Sequence, residues 1–510
     1  MRRTARAVTE AVTAAVAVAV ATATLAGCGA VGPRGSSHDA GPRPAPGPTR
    51  VAQGTQAPDG ERAPAGDELS TFALDVDTAS YGYATRQLGN GQLPDPSAVR
   101  YEEFVNSFRQ DYPSPDGDGF SVTADGARTA GAGSRWSLLR IGLATRAADK
   151  AARKPAALTF VVDVSGSMAE PGRLDLVQKA LRSAVGELRG DDSLSVVTFS
   201  ERARVALPMT RLGADGARAH AREVVDGLRP EQSTNLEAGL RAGYDVALEG
   251  ARAGVTNRVV LLSDALANTG ETEPEALLER IDRARREHGV TLYGVGVGSE
   301  YGDALMEELA DKGDGHTSYV STEREARALF VDQLPANVEL RARDAKAQVA
   351  FDQQTVEQYR LIGFEDRAVA DEDFRDDAVD GGEVGPGHTV TALYTVRLRP
   401  GARGHVATAT VRWLDPASRA PHEESATIEA DRLAGALWDT ATSPRLRVDA
   451  VAAYFADALR TYSTGDEQLP GAPGLAELAD RAHALAGTTE DPAVADLAES
   501  VDRAYALRAA

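Results

Sequence analysis

Cysteine is almost missing: Cys28 is the single one among 510 residues, so no intramolecular disulfide staples the chain and each folded unit rests on its own core. Aromatic residues make up 5%, and Trp and Met are rare, which leaves the cores to aliphatic side chains and alanine. Positive charge is short as well, with 55 Lys and Arg against 76 Asp and Glu and a formal net charge of −21. That balance excludes nucleic acid and anionic membrane surfaces as direct electrostatic partners, and it suits a cation-binding protein. The marks of common catalysts are absent too. The eight histidines form no His-x-x-x-His or His-Glu pairing of catalytic type. There is no Gly-x-Ser-x-Gly elbow and no phosphate-cradling glycine loop.

The place of the lone cysteine is informative. Residues 1–27 begin Met-Arg-Arg-Thr-Ala-Arg and pass through a weakly apolar Ala/Val run, Ala11 to Leu25, into Leu25-Ala26-Gly27-Cys28. These last four residues match the lipobox that a lipoprotein signal peptidase cuts before the cysteine. A run this short, closed by small residues, is a signal segment rather than a spanning helix. The expectation is a signal peptide over 1–27, lipid on Cys28, and a mature protein held on the extracytoplasmic face of the cell membrane. An ordinary secretory signal is the simpler alternative. Residues 28–68 are Gly, Pro, Ser, Ala and Arg without apolar period and read as a disordered tether.

Ordered structure is expected from Leu69. A flanking region over 69–150 offers strand Thr71–Val76, helices Ala79–Leu88 and Val99–Phe108, and strands Phe120–Asp125 and Ser137–Leu143. Residues 155–335 alternate strands and helices as a βαβ protein does, which predicts a doubly wound, mostly parallel α/β sheet. Residues 336–430 return to β-branched alternation in strands Ala345–Phe351, Val356–Ile362, Thr389–Leu398 and His405–Trp413. Strands on both sides of the α/β unit are expected to pair into one β-sandwich-like flanking domain, with the α/β unit inserted in it. A helical region over 431–510 closes the chain.

Within the α/β unit, Leu158–Val162 is apolar on both faces, the mark of a strand covered on both sides. It ends on Asp163-Val164-Ser165-Gly166-Ser167, one carboxylate and two hydroxyls at the carboxyl end of a buried strand. Open α/β sheets bind ligands at such ends. Hard divalent cations take oxygen ligands of this kind. Gln232-Ser233-Thr234-Asn235 and Ser263-Asp264 bring further oxygens at later strand and helix junctions.

The set D-V-S-G-S, S-T-N and S-D resembles the metal-ion-dependent adhesion site of von Willebrand factor type A (VWA) domains. The resemblance implies that Ser165, Ser167 and Thr234 coordinate Mg²⁺, with Mn²⁺ or Ca²⁺ as substitutes, directly or through water. Asp163 and Asp264 are implied to supply charge largely through bridging waters. An acidic side chain of a protein partner is implied at the open position. Ala265 departs from the glycine that many relatives carry after the last Asp. The resemblance extends outward. Ser70–Tyr81, Asp303–Gly313, Tyr359–Glu365 and Gly387–Tyr394 look like the corresponding stretches of bacterial YfbK-type lipoproteins, and so does the carboxy-terminal region.

Two other acidic stretches compete for attention. Asp75 and Asp77 imitate a metal loop, but a helix start explains them, with Asp77 or Thr78 as N-cap. The loop Asp371–Glu383 fails the EF-hand template because Arg375 stands where an oxygen ligand belongs, so a solvated loop is expected. The functional expectation is therefore a non-catalytic adhesion or scaffold protein that binds its partner through a cation. A metal-dependent hydrolase and a module merely stiffened by metal are the alternatives. Helix Glu323–Leu334, with Ala326, Leu329 and Phe330 on its apolar face, is expected to link metal occupancy to the angle between domains.

Overall fold

The computed structural model describes residues 68–509 except 75–76, 130–133, 148–153, 253, 265–273, 299–308, 310–316, 333–339, 464 and 466. Cys28, the tether up to residue 67 and Ala265 lie outside the described residues. The amino-terminal part holds β1 (Leu69–Ala73), α1 (Ala79–Gly89), α2 (Tyr101–Asn106), β2 (Phe120–Arg128) and β3 (Trp136–Thr145). The single helix expected over Val99–Phe108 is shorter than that. Pro96–Ala98 forms a 3-10 turn capped by Asp95, which accepts the Ser97 N–H at 2.9 Å, and Val99 is extended before α2 begins. The burial pattern is nonetheless the expected one, with Val99, Phe104, Val105 and Phe108 all buried.

The α/β unit follows: β4 (Ala156–Asp163), α3 (Leu174–Glu187), β5 (Ser193–Phe199), β6 (Ala203–Arg211), α4 (Ala217–Asp226), α5 (Leu236–Glu249), β7 (Thr256–Ser263), α6 (Pro274–His288), β8 (Val290–Val297), β9 (Thr317–Val320) and α7 (Glu323–Arg327). The expected helix over Glu323–Leu334 is α-helical only as far as Arg327. A π turn, Ala328–Asp332, continues it, and Ala326, Leu329 and Phe330 are buried as the pattern requires. The sheet runs β6-β5-β4-β7-β8-β9, parallel except for the antiparallel edge strand β6. Pro208 is tolerated in β6 because that strand lies at the edge. Alternate residues of β4 feed two cores. Leu158, Phe160 and Val162 pack with α3 on one face, and Val161 packs against Leu240 and Tyr244 of α5 on the other.

Beyond it come β10 (Ala342–Phe351), β11 (Val356–Ile362), β12 (Gly382–Val384), β13 (Thr389–Leu398), β14 (His405–Leu414) and β15 (Pro421–Glu429). Helices α8 (Pro444–Arg460), α9 (Leu475–Thr489) and α10 (Pro492–Ala509) end the described chain. The expected sandwich forms from strands on both sides of the α/β unit. One sheet is β11-β13-β3-β2, and the other is β1-β10-β14-β15 with β12 beside β10. Its core includes Phe72, Leu139, Ile141, Val349, Tyr394 and Trp413, the last in edge contact with Phe120 at 5.1 Å. Helices α1, α2, α8, α9 and α10 cover the outer face of the β2–β3 side, where Leu138 and Ala127 join their apolar cluster. That double cover explains why all of β3 after Trp136 is buried. Strands β12 and β15 escape the sequence pattern: β15 reads P-H-E-E-S-A-T-I-E, almost wholly exposed, and takes its place by pairing with β14.

Candidate metal centre

The chain runs from β4 outward to β5 and the edge strand β6, then crosses back to place β7 on the other side of β4. In open α/β sheets such a switch point is where ligands bind, outside the carboxyl ends of the strands. Asp163, the last residue of β4, sits there with no exposed surface. Its Oδ1 accepts the Ser165 N–H at 2.8 Å, and its Oδ2 accepts the hydroxyl of Ser263, the last residue of β7, at 2.6 Å. Burial pushes the Asp163 carboxyl above its ordinary range, and the two hydrogen bonds oppose that shift.

The line of oxygens continues across the strand ends. Ser165 Oγ lies 3.0 Å from Ser167 Oγ, and Ser167 Oγ is 3.0 Å from Asp264 Oδ1, to which it donates. Asp264 follows β7 and is buried. The structure thus brings Asp163, Ser165, Ser167 and Asp264 into one hydrogen-bonded series. Thr234 stands on the neighbouring loop, which is tied to the same turn. The Glu231 N–H donates to the Val164 carbonyl, Ser200 Oγ donates to Glu231 Oε2 at 2.7 Å, and the Asn235 N–H donates to the Ser200 carbonyl at 2.7 Å. Thr234 is half-buried, and among the described residues its hydroxyl has no hydrogen-bond partner.

Two glycines seat the helix that carries this loop. Asn235 caps α5 by accepting the Ala238 N–H at 2.9 Å. A Cβ at Gly239 would lie 2.5 Å from Phe199 Cγ, and one at Gly243 would lie 2.3 Å from Val161 Cγ2. Only glycine at both positions lets α5 rest this close to β4 and β5, and that approach brings Thr234 to the strand ends.

The donor set is all oxygen, two carboxylates and three hydroxyls, which fits Mg²⁺, Mn²⁺ or Ca²⁺ rather than a thiolate- or imidazole-seeking metal. Among the described residues no group of three or more His, Cys, Asp or Glu is arranged to hold a metal, so a cation held here would draw on the hydroxyls as well. Ser167 commits its proton to Asp264 and accepts from Ser165, which leaves one lone pair for a cation.

One participant escaped the sequence reading. Arg173, 7% exposed, reaches Asp264 Oδ2 at 2.6 Å and the Ser167 carbonyl at 3.2 Å through Nη1, and Glu170 Oε2 at 2.7 Å through Nη2. Its sequence signal is a local conflict: a cation at the N-cap of α3 opposes the helix dipole. Ser263 was visible only as the neighbour of Asp264.

Of the two competing stretches, the first is a helix start as expected, with Thr78 at the N-cap, and the second differs from expectation. Asp75 lies outside the described residues. Asp77 does not cap α1: it accepts the Thr317 N–H at 2.8 Å and the Thr317 hydroxyl at 3.2 Å, fastening β9 to the amino-terminal region, and Thr78 occupies the N-cap without a side-chain bond. The acidic loop Asp371–Glu383 is not simply solvated. It wraps the buried ammonium of Lys346, which donates to the carbonyls of Asp376 at 2.6 Å, Val379 at 2.9 Å and Asp373 at 3.4 Å. An internal cation fills the place that a calcium reading would give to a metal.

Comparison with known proteins agrees with this architecture. The model of the von Willebrand factor type A domain matches residues 157–332, that of "Uncharacterized protein YfbK, C-terminal" matches 337–430, and a third, von Willebrand factor, matches 55–136. "Uncharacterized protein YfbK" of Escherichia coli (strain K12) is 36% identical over 338 residues, covering 65% of this chain and 58% of that protein. The chain therefore spans less than two thirds of that relative's length. Inter-alpha-trypsin inhibitor heavy chain H3 of Rattus norvegicus is 29% identical over 179 residues, 34% of this chain and 20% of that protein. Among solved structures, a von Willebrand factor type A protein from Catenulispora acidiphila aligns with 16% identity and a TM-score of 0.45, covering 75% of this chain and 89% of that one. By these domain models, the chain carries a von Willebrand factor type A domain over residues 157–332 followed by a YfbK carboxy-terminal domain over 337–430, and it is similar to YfbK across 65% of its length.

Proposed function

We propose that this protein binds a protein partner through a divalent cation, Mg²⁺ foremost, held by Asp163, Ser165, Ser167, Thr234 and Asp264, and that it does so without catalysis. A von Willebrand factor type A domain carries a protein-interaction or adhesion role, which is the starting point. The observation that supports the finer reading is the hydrogen-bonded series from Asp163 to Asp264 at the switch point of the sheet. Bound there, the cation supplies a positive centre that an acidic side chain of the partner completes. Both oxygens of Asp163 are occupied by Ser165 and Ser263, and one of Asp264 by Arg173, so these carboxylates hold positions rather than move protons. The proposed setting is the extracytoplasmic face of a membrane, with lipid on Cys28. Among the described residues no helix is long and apolar enough to cross a membrane.

Two experiments test the reading. Calorimetric titration of the mature chain with Mg²⁺ is expected to give saturable binding that Asp163→Ala abolishes, while the circular dichroism of the variant stays that of the parent. Retention of a surface protein on the immobilised chain is expected in Mg²⁺ and lost both with chelator and in that variant. Capture indifferent to both refutes the adhesion site. For the anchor, Cys28→Ser is expected to move the protein from the membrane to the soluble fraction and to end incorporation of labelled palmitate. A variant that stays sedimentable and labelled excludes lipidation at this residue.

A further inference from the structure

We propose that Arg173 sets the affinity of the cation site. As an internal cation it neutralises Asp264, so the site holds a divalent ion weakly by itself and favours capture of that ion together with an anionic ligand. This rests on the reading of Asp163, Ser165, Ser167, Thr234 and Asp264 as the cation site.

The guanidinium is fixed rather than adventitious. It is fastened at three points, to the Asp264 carboxylate, the Ser167 carbonyl and the Glu170 carboxylate. Its stem lies against Gly298, the residue after β8, where φ is +106° and a Cβ would come within 3.3 Å of Nε and 3.5 Å of Cγ. The glycine thus keeps open the course that the arginine takes over the strand ends. An arginine stays charged at all working pH values, so Asp163, Asp264 and Arg173 together present one net negative charge to an incoming cation instead of two. Glu170 is largely exposed, and water screens its charge. An ion bound beside Arg173 has less of its charge cancelled by the protein and keeps more attraction for an external carboxylate.

Calorimetric titration of the full mature chain with MgCl₂ alone tests this. Arg173→Gln retains an amide donor for Asp264 but removes the charge, and it is expected to tighten Mg²⁺ binding by roughly tenfold or more. Arg173→Lys keeps the charge and is expected within about threefold of wild type. Thermal melts in chelator verify folding, and the rise in melting temperature on adding Mg²⁺ is expected to be larger in Arg173→Gln than in wild type. Unchanged or weaker binding in Arg173→Gln, with binding still lost in Asp163→Ala, overturns the role of Arg173 and leaves the cation site standing. Tightening in Arg173→Lys equal to that in Arg173→Gln overturns the charge argument, and that variant carries the test if the glutamine variant does not fold. Absence of Mg²⁺ binding in wild type, or wild-type binding in Asp163→Ala, overturns the site itself.

Discussion

Asp449→Ala removes one end of the buried ion pair that fastens α8 to the sandwich. Asp449 has no exposed surface, and its Oδ2 lies 2.9 Å from Arg140 Nη1 while its Oδ1 accepts Gln110 Nε2 at 2.7 Å. Breaking a buried pair costs about 3–5 kcal/mol, because a desolvated charge is left behind. Here Arg140 keeps Asp125 through bonds of 2.8 and 2.7 Å, and Gln110 keeps the Phe108 carbonyl at 3.0 Å. The expected loss is therefore near the lower bound, about 3 kcal/mol. Urea unfolding followed by tryptophan fluorescence reads it, since Trp438 packs with Tyr454 of α8 at 6.3 Å. Burial also pushes the Asp449 carboxyl up to about 6 from an ordinary 3.8, with Arg140 opposing the rise. The sign follows by linkage. Between those two values the folded chain retains a proton that the unfolded chain has released, so this contribution is full below about pH 4 and is lost as pH rises through about 6. Asp449→Asn is expected to abolish that component of the pH slope. A loss below about 1 kcal/mol in the alanine variant, or an unchanged slope in the asparagine variant, refutes the reasoning.

Two further outcomes follow from the same kind of geometry. Lys346→Met strips the donor from three loop carbonyls and is expected to cost about 2–4 kcal/mol and to open residues 371–383 to limited proteolysis; a loop that stays resistant contradicts its dependence on the ammonium. Gly243→Ala drives a methyl into Val161 and is expected to cost about 1–3 kcal/mol and to weaken Mg²⁺ binding as α5 backs away with Thr234, whereas unaltered affinity in calorimetry contradicts that link.

What the sequence revealed was governed by period. The covered strand Leu158–Val162 and its terminal Asp163 were legible from a short β-forming run set in a βα alternation, and the sandwich of 120–145 with 342–414 followed from strands flanking an α/β unit. The serines were readable through spacing, since they follow Asp163 directly. Arg173 was not, because Asp264, ninety-one residues on, meets it only after the crossover connections are made, and the local pair with Glu170 points to no site. Likewise Lys346 reads as a polar residue in an alternating strand, and only the return of a loop some thirty positions later makes it a buried cation. Strand β15 was invisible because an edge strand with a solvated face has no apolar rhythm to detect.

The placement of β1 has a mechanical consequence. It pairs antiparallel with β10, Leu69 opposite Ala350 and Ala73 opposite Lys346, while β10 starts at Ala342, on the α/β side of the chain. A pull applied at residue 68 and resisted at the strand ends around Asp163 therefore draws β1 and β10 apart lengthwise, in opposite directions. Every hydrogen bond of the pair takes load at once, as in a lap joint, and none peels open ahead of the rest. The sandwich thus meets a load along its amino-terminal strand in shear.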